Sequence, residues 1–196
     1  MSRSPIVSDD RVPEGRSAAA DLERARGICL RRLAVRPHTR AELETVLRRH
    51  GIDDAVAAEV LRRYDEVGLV DDAAFAHAWV SSRHHGKGLA RRALARELHN
   101  KGVADEIVGN ALVDLDSATE EETARALVLR RLRTDRGRRP EATFRRLVGM
   151  LARKGYPPGL AFRVVKEALA ARPDTGDALR EMPVDAWESA VDDLEN

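Results

Sequence analysis

One cysteine, Cys29, is the whole thiol complement of the 196-residue chain, so an intramolecular disulfide and a multi-cysteine metal centre are both excluded. That usage fits a reducing compartment. Aromatic residues make up only 4% of the sequence, while Ala, Leu, Arg and Glu dominate it, which favours helices over strands rich in Val, Ile, Thr and aromatics. No apolar run reaches the 18 or so residues that would cross a bilayer, and Met1 to Ala20 lacks an apolar core of signal-peptide length. A cytoplasmic protein with no membrane contact is therefore expected. Apolar residues still amount to 43%, enough for packed cores.

Catalytic and ligand-binding signatures are also missing. Gly86-Lys87-Gly88 falls short of a phosphate-binding loop, because Ser81 stands where that motif needs glycine and Gly88 where it needs Ser or Thr. It reads as a turn between helices. The six histidines are scattered, and the adjacent His84 and His85 do not share a helix face, so no metal is expected. Cys29 lies in an apolar stripe, a core position rather than a nucleophile. Carboxylates such as Asp53, Asp54, Asp71, Asp72 and Glu120 to Glu122 sit at helix starts, where the helix dipole accounts for them. Neither an enzyme nor a cofactor-binding protein is indicated.

What is present is a repeat. Gly51, Gly102 and Gly155 are spaced by 51 and 53 residues, and their surroundings superimpose. Leu43, Leu94 and Leu147 stand eight residues before each glycine, and Leu47, Leu98 and Leu151 four before, one helix face in each copy. Ile52, Val103 and Tyr156 follow directly. Val56, Ile107 and Leu160, then Leu61, Leu112 and Val165, begin a second amphipathic helix. A glycine just past a helix end takes the left-handed conformation cheaply, and Arg49, Lys101, Arg153 and Lys154 before it complement the negative end of the dipole. Thr39-Arg40-Ala41-Glu42 and Thr119-Glu120-Glu121-Glu122 read as capping boxes. Leading helices over about 21–35, 72–84 and 120–133 complete three modules.

The resulting organisation is all-α: a disordered arm at 1–20, three-helix repeats resembling helix-turn-helix units at 21–70, 71–117 and 118–171, and an acidic tail at 172–196. Modules of about fifty residues are marginal alone, so end-to-end packing into an elongated, curved rod is expected.

A formal charge of +1 hides an asymmetry along the chain. Thr123 to Lys166 holds thirteen basic residues against two acids, whereas Arg172 to Asn196 holds two against eight. Eight arginines between Arg130 and Arg146 repel one another unless an anionic partner neutralises them. Candidate partner-binding residues are Arg83, Lys87, Arg91, Arg92 and Arg96 in the second repeat, where Arg92, Arg96 and His99 face away from Ala90, Leu94 and Leu98. In the third repeat they are Arg130, Arg131, Arg138, Arg139, Arg145, Arg146 and Lys154.

Over about Leu22 to Leu169 the chain resembles the RecX family, on residues whose order and spacing agree together. They are Thr39-Arg40-Ala41-Glu42-Leu43 with Leu47 and Gly51-Ile52, Gly68-Leu69-Val70-Asp71-Asp72 with Phe75-Ala76, and Gly86-Lys87-Gly88 with Glu97-Leu98 and Lys101-Gly102-Val103. The arm, the tail beyond Arg172 and the Tyr156-Pro157-Pro158-Gly159 passage depart from the family pattern. The resemblance implies three tandem three-helix repeats and a monomeric regulator that binds the RecA nucleoprotein filament. Such a regulator limits ATP hydrolysis and strand exchange, modulating recombinational DNA repair and the SOS response. The rival is a helix-turn-helix protein acting directly on single- or double-stranded DNA, and the bland alternative is an inert helical scaffold.

Overall fold

The structure, a computed structural model, describes residues 18–134 and 139–172. Within them are nine helices and no strand. The chain divides into two compact units, the first ending at Val70 and the second beginning at Asp71.

The first unit holds α1 (Ala18–Leu33), α2 (Arg40–Arg49) and α3 (Asp54–Glu66). Thr39 caps α2 in a full capping box, its hydroxyl accepting from the Glu42 N–H while the Glu42 carboxylate accepts from the Thr39 N–H. Gly51 turns the chain at φ +68°, and Asp53 opens α3 by accepting from the Ala55 N–H at 2.8 Å. Leu43, Leu47, Cys29, Val60 and Leu61 are fully buried in one cluster. Burial pushes the Cys29 thiol up to about 11. Helix α1 starts at Ala18, inside the span expected to be an arm, because three consecutive alanines are strong helix formers. The rest of that arm lies outside the described residues.

The second unit contains α4 (Asp72–Lys87), α5 (Arg91–His99), α6 (Asp105–Ala111), α7 (Ser117–Thr134), α8 (Pro140–Arg153) and α9 (Pro158–Ala170). Phe75, Ala76, Leu94, Leu98, Val103 and Leu112 form one core; Leu127, Val128, Phe144, Leu147, Leu151, Tyr156 and Val165 form another. Turn glycines Gly102 and Gly155 have φ of +74° and +90°, the left-handed values their place after a helix requires. Thus three three-helix bundles follow one another, each with its own core.

Two local expectations change. Helix α4 continues through Gly86 and Lys87 and stops at Gly88, a left-handed cap at φ 63°, so only the last glycine of that passage makes a turn. Helix α7 begins at Ser117 rather than after a Thr119 cap. Asp116 takes the capping role, its carboxylate accepting from the Thr119 N–H at 2.8 Å. The competing Asp three residues earlier wins, and Glu120 is released for a different contact.

That contact lies at the junction of the second and third bundles. Helix α5 has no capping side chain of its own, and Glu120, buried, accepts from the Arg91 N–H at 2.7 Å. Ala90 donates to the Lys154 carbonyl at 2.9 Å, and the buried Tyr156 hydroxyl donates to the Gly88 carbonyl at 3.1 Å. His84 is buried as well. Its Nδ1–H donates to the Leu89 carbonyl at 2.9 Å, which leaves Nε2 facing the Thr123 hydroxyl at 3.0 Å. Two glycines allow the close approach, Gly88 against Leu127 and Gly155 against Ala93.

Candidate functional site

Helix α7 carries opposite charge patterns at its two ends. Near its start, Glu121 accepts from Arg163 of α9 at 2.5 Å, and Arg125 pairs with Glu167 at 3.0 Å. Those charges are spent on packing α7 against α9. Near its end stand Arg130, Arg131 and Arg133, placed where the helix dipole favours cations, and all three are exposed. None has an ion-pair partner among the described residues.

Two clefts meet along this end of α7. One, of about 390 Å³, is lined by His84, His85, Gly86 and Gly88 of the α4 terminus and by Glu122, Thr123, Ala126, Leu127, Arg130 and Arg133 of α7. The other, of about 310 Å³, is lined by Leu127, Arg130, Arg131, Thr134, Met150 and Lys154. Leu127 and Arg130 belong to both. Their i, i+3 relation sets them on one strip of the helix, with Arg131 and Thr134 on the next, so a single helix supplies the floor and the rim.

Lys154 completes the site from the C-terminal cap of α8, its Nζ donating to the Lys87 carbonyl. Partial burial, together with the positive charges of Arg130 and Lys87, holds its ammonium below the usual lysine range. Cations are thus gathered with their repulsion uncompensated, and the second cleft has no carboxylate in its lining. Such a surface is complementary to an anion.

Of the residues named from the sequence, the fold brings Arg130, Arg131 and Lys154 together, with Lys87 beside them. Arg92 and Arg96 are exposed on α5 without ion-pair partners among the described residues. Arg91 is partly committed, since its guanidinium donates to the Leu112 carbonyl at 2.6 Å and caps the end of α6. Arg83 lies 4.2 Å over the Trp79 ring and 3.5 Å from Glu97, whose carboxylate also accepts from the Trp79 indole. His99 pairs with Asp105 at 3.1 Å. Arg139, Arg145 and Arg146 line neither cleft, and Arg138 falls outside the described residues.

Sequence reasoning missed Leu127, Thr134 and Met150 as cleft residues. Leu127 carried a core signature, and nothing in the local pattern of Thr134 or Met150 marks a site. Arg133, one of the eight arginines counted from Arg130 to Arg146 in the sequence, lines the first cleft. Among the described residues no cluster of three or more His, Cys, Asp or Glu side chains is arranged to hold a metal ion, and no helix is long and apolar enough to cross a membrane.

Comparison with known proteins agrees with the succession of three bundles. Residues 25–63 match the first three-helix domain of RecX, residues 71–112 the second and residues 119–165 the third. The chain is 54% identical over 163 residues to the regulatory protein RecX of Streptomyces coelicolor, a match covering 83% of this chain and 87% of that one. It is 56% identical over 163 residues to the regulatory protein RecX of Thermobifida fusca, covering 83% and 88%. A crystal structure of RecX from Lactobacillus salivarius shares the fold, with a TM-score of 0.66 at 20% identity over 76% of this chain and 97% of the other.

Proposed function

The chain belongs to the RecX family of regulatory proteins, and on that premise we propose that it binds the RecA nucleoprotein filament and inhibits its ATPase and strand-exchange activity, with no chemistry of its own. Recombinational repair and the SOS response are the processes so modulated, and the protein acts in the cytoplasm as a monomer. One observation carries the reading beyond the family name: Arg130, Arg131 and Lys154 converge beside Lys87 without neutralising carboxylates in the cleft they share. A polymeric anionic target offers such a surface repeated contacts, and weak contacts reinforce one another through effective concentration. A bound regulator slows turnover only if it favours one filament state over another, so differential affinity is the required property.

The exposed Arg92 and Arg96 of α5 favour a second reading, direct binding to single- or double-stranded DNA by a helix-turn-helix module. Titrating the protein into RecA assembled on single-stranded DNA, with ATP hydrolysis as the readout, tests the first. Inhibition is expected, and it should weaken in Arg130→Glu with Arg131→Glu and in Arg92→Glu with Arg96→Glu while helicity is kept. Salt separates the two readings, because affinity for bare DNA falls steeply with ionic strength. Filament inhibition that vanishes together with bare-DNA binding favours the DNA-binding alternative. ATP hydrolysis unaffected at any protein concentration removes the proposal.

A further inference from the structure

Residues 173–196 follow the described part of the chain and carry eight acids against one base, Arg180. Where this segment leaves the fold can be read from α9. Glu121 pairs with Arg163, and Arg125 with Glu167, two contacts four residues apart on each helix and both offset by 42 positions. The two helices therefore run parallel. Carried to the end of α9 at that offset, Ala170 stands level with Val128, two residues before Arg130. Helix α9 thus ends near the arginine-rich end of α7, and the acidic segment follows it in the sequence. An extended chain covers roughly 3.3 Å per residue, so twenty-four residues easily round a helix about 10 Å across.

Composition agrees with the cleft in two independent respects. The segment offers carboxylates in Asp185, Glu188, Asp192, Asp193 and Glu195, and it interleaves them with Trp187 and Leu194. The cleft offers Arg130, Arg131 and Lys154 above Leu127 and Met150. Guanidinium groups pair well with carboxylates, and an apolar floor suits an aromatic anchor.

We propose that the acidic C-terminal segment 173–196 is an intramolecular ligand of the cleft formed by Arg130, Arg131 and Lys154, competing there with any external anionic partner. Tethering raises the local concentration of the segment without a tight intrinsic affinity, so occupancy is reversible and strongly salt-dependent. An external polyanion with more contacts displaces it. The idea goes beyond filament regulation, since it concerns the protein alone.

Trp187 is a built-in reporter. In the full chain carrying Trp79→Phe it is the sole indole. At about 0.01 M salt, where the Debye length is about 30 Å, its emission is expected to be blue-shifted and shielded from iodide; at about 1 M salt, with a length of about 3 Å, both effects disappear. Arg130→Glu with Arg131→Glu should abolish the low-salt shift. So should Asp192→Asn with Asp193→Asn and Glu195→Gln, a tail variant that leaves every described helix untouched. Emission indifferent to salt, or a shift that survives both sets of changes, overturns the proposal. A shift that grows with protein concentration assigns the tail to a second copy and equally overturns it. No recombinase enters the measurement, so its failure leaves the filament-binding reading standing, and the reverse holds.

Discussion

Substituting alanine for Gly155 tests the fit between the second and third bundles. A Cβ at that position would lie 2.6 Å from the Ala93 amide nitrogen and 2.7 Å from the Ala93 Cβ, and the first of these is backbone that cannot rotate away. Gly51, at the same register of the first bundle, has a similar left-handed φ of +68°, but a methyl added there would meet nothing within 4 Å. Both substitutions incur the left-handed cost of a side chain, about 1–2 kcal/mol. Gly155→Ala adds overpacking of about 1–3 kcal/mol. The comparison isolates the steric contribution, because the conformational cost is common to both.

A whole-chain denaturation midpoint would mix two units, so the readout must be local. Hydrogen exchange at the Ala90 amide, which donates to the Lys154 carbonyl across the junction, reports its opening. In Gly155→Ala that amide should exchange faster by roughly 5–150-fold beyond the loss common to both variants, the factor corresponding to 1–3 kcal/mol. Gly51→Ala should leave Ala90 unchanged and accelerate Ile52, whose amide bonds to the Leu47 carbonyl at 3.1 Å. Equal local losses in the two variants, or an Ala90 amide unaffected by Gly155→Ala, would falsify the steric argument.

Tyr156→Phe strands the buried Gly88 carbonyl and should destabilise the second unit by roughly 1–3 kcal/mol, visible as faster hydrogen exchange at the Ala90 amide; unchanged exchange there would mean that water replaces the hydroxyl. Burial of His38, reinforced by the Arg36 guanidinium and only partly offset by Glu42, holds its pKa below the ordinary histidine value of 6.5. The unfolded chain therefore binds the proton more readily, so this contribution to stability is complete above about pH 6.5 and is lost as pH falls through the lower folded value. His38→Gln should flatten the fall in the first unit's urea midpoint between about pH 7.5 and 5.5, and an equally steep fall would assign it to other groups. Cys29, with its thiol pushed up to about 11, should react with a disulfide reagent at about pH 8 only as fast as the first unit opens. Immediate labelling of the native protein would contradict its burial.

The bundle architecture was legible because each repeat writes its core in the same register. Leu43, Leu94 and Leu147, and Leu47, Leu98 and Leu151, are all fully buried, as one helix face before a turn glycine demands. Where the third copy broke the pattern, the break has a structural reason. Tyr156 replaces Ile52 and Val103 because its hydroxyl crosses to Gly88, and Pro158 begins α9 where a missing N–H costs nothing. A tyrosine in an aliphatic register already announced a polar tip in need of a partner, although not which partner. The Glu120 contact was less accessible, since Asp116 and Thr119 compete locally for the same cap and only the arrival of α5 decides between them.

Charge was harder to read than burial, and the reason lies in distance along the chain. A count over Thr123 to Lys166 gives eleven surplus positive charges, but it includes Arg125, bonded to Glu167, and Arg163, bonded to Glu121, each on the facing helix. Local sequence cannot reveal such pairs, whose members stand 42 positions apart. Likewise Arg91 looks as available as Arg92 on a helical projection, yet one guanidinium holds a carbonyl and its neighbour faces solvent. What separates a usable cation from a spent one is the packing of a partner helix. The same packing creates the cleft: Lys154 is drawn to Lys87 because its own carbonyl has already bonded Ala90, so the junction that locks two bundles also concentrates positive charge beside α7. Binding potential here is a by-product of how the repeats dock, and a variant that loosens the junction should weaken anion binding even when every arginine is retained.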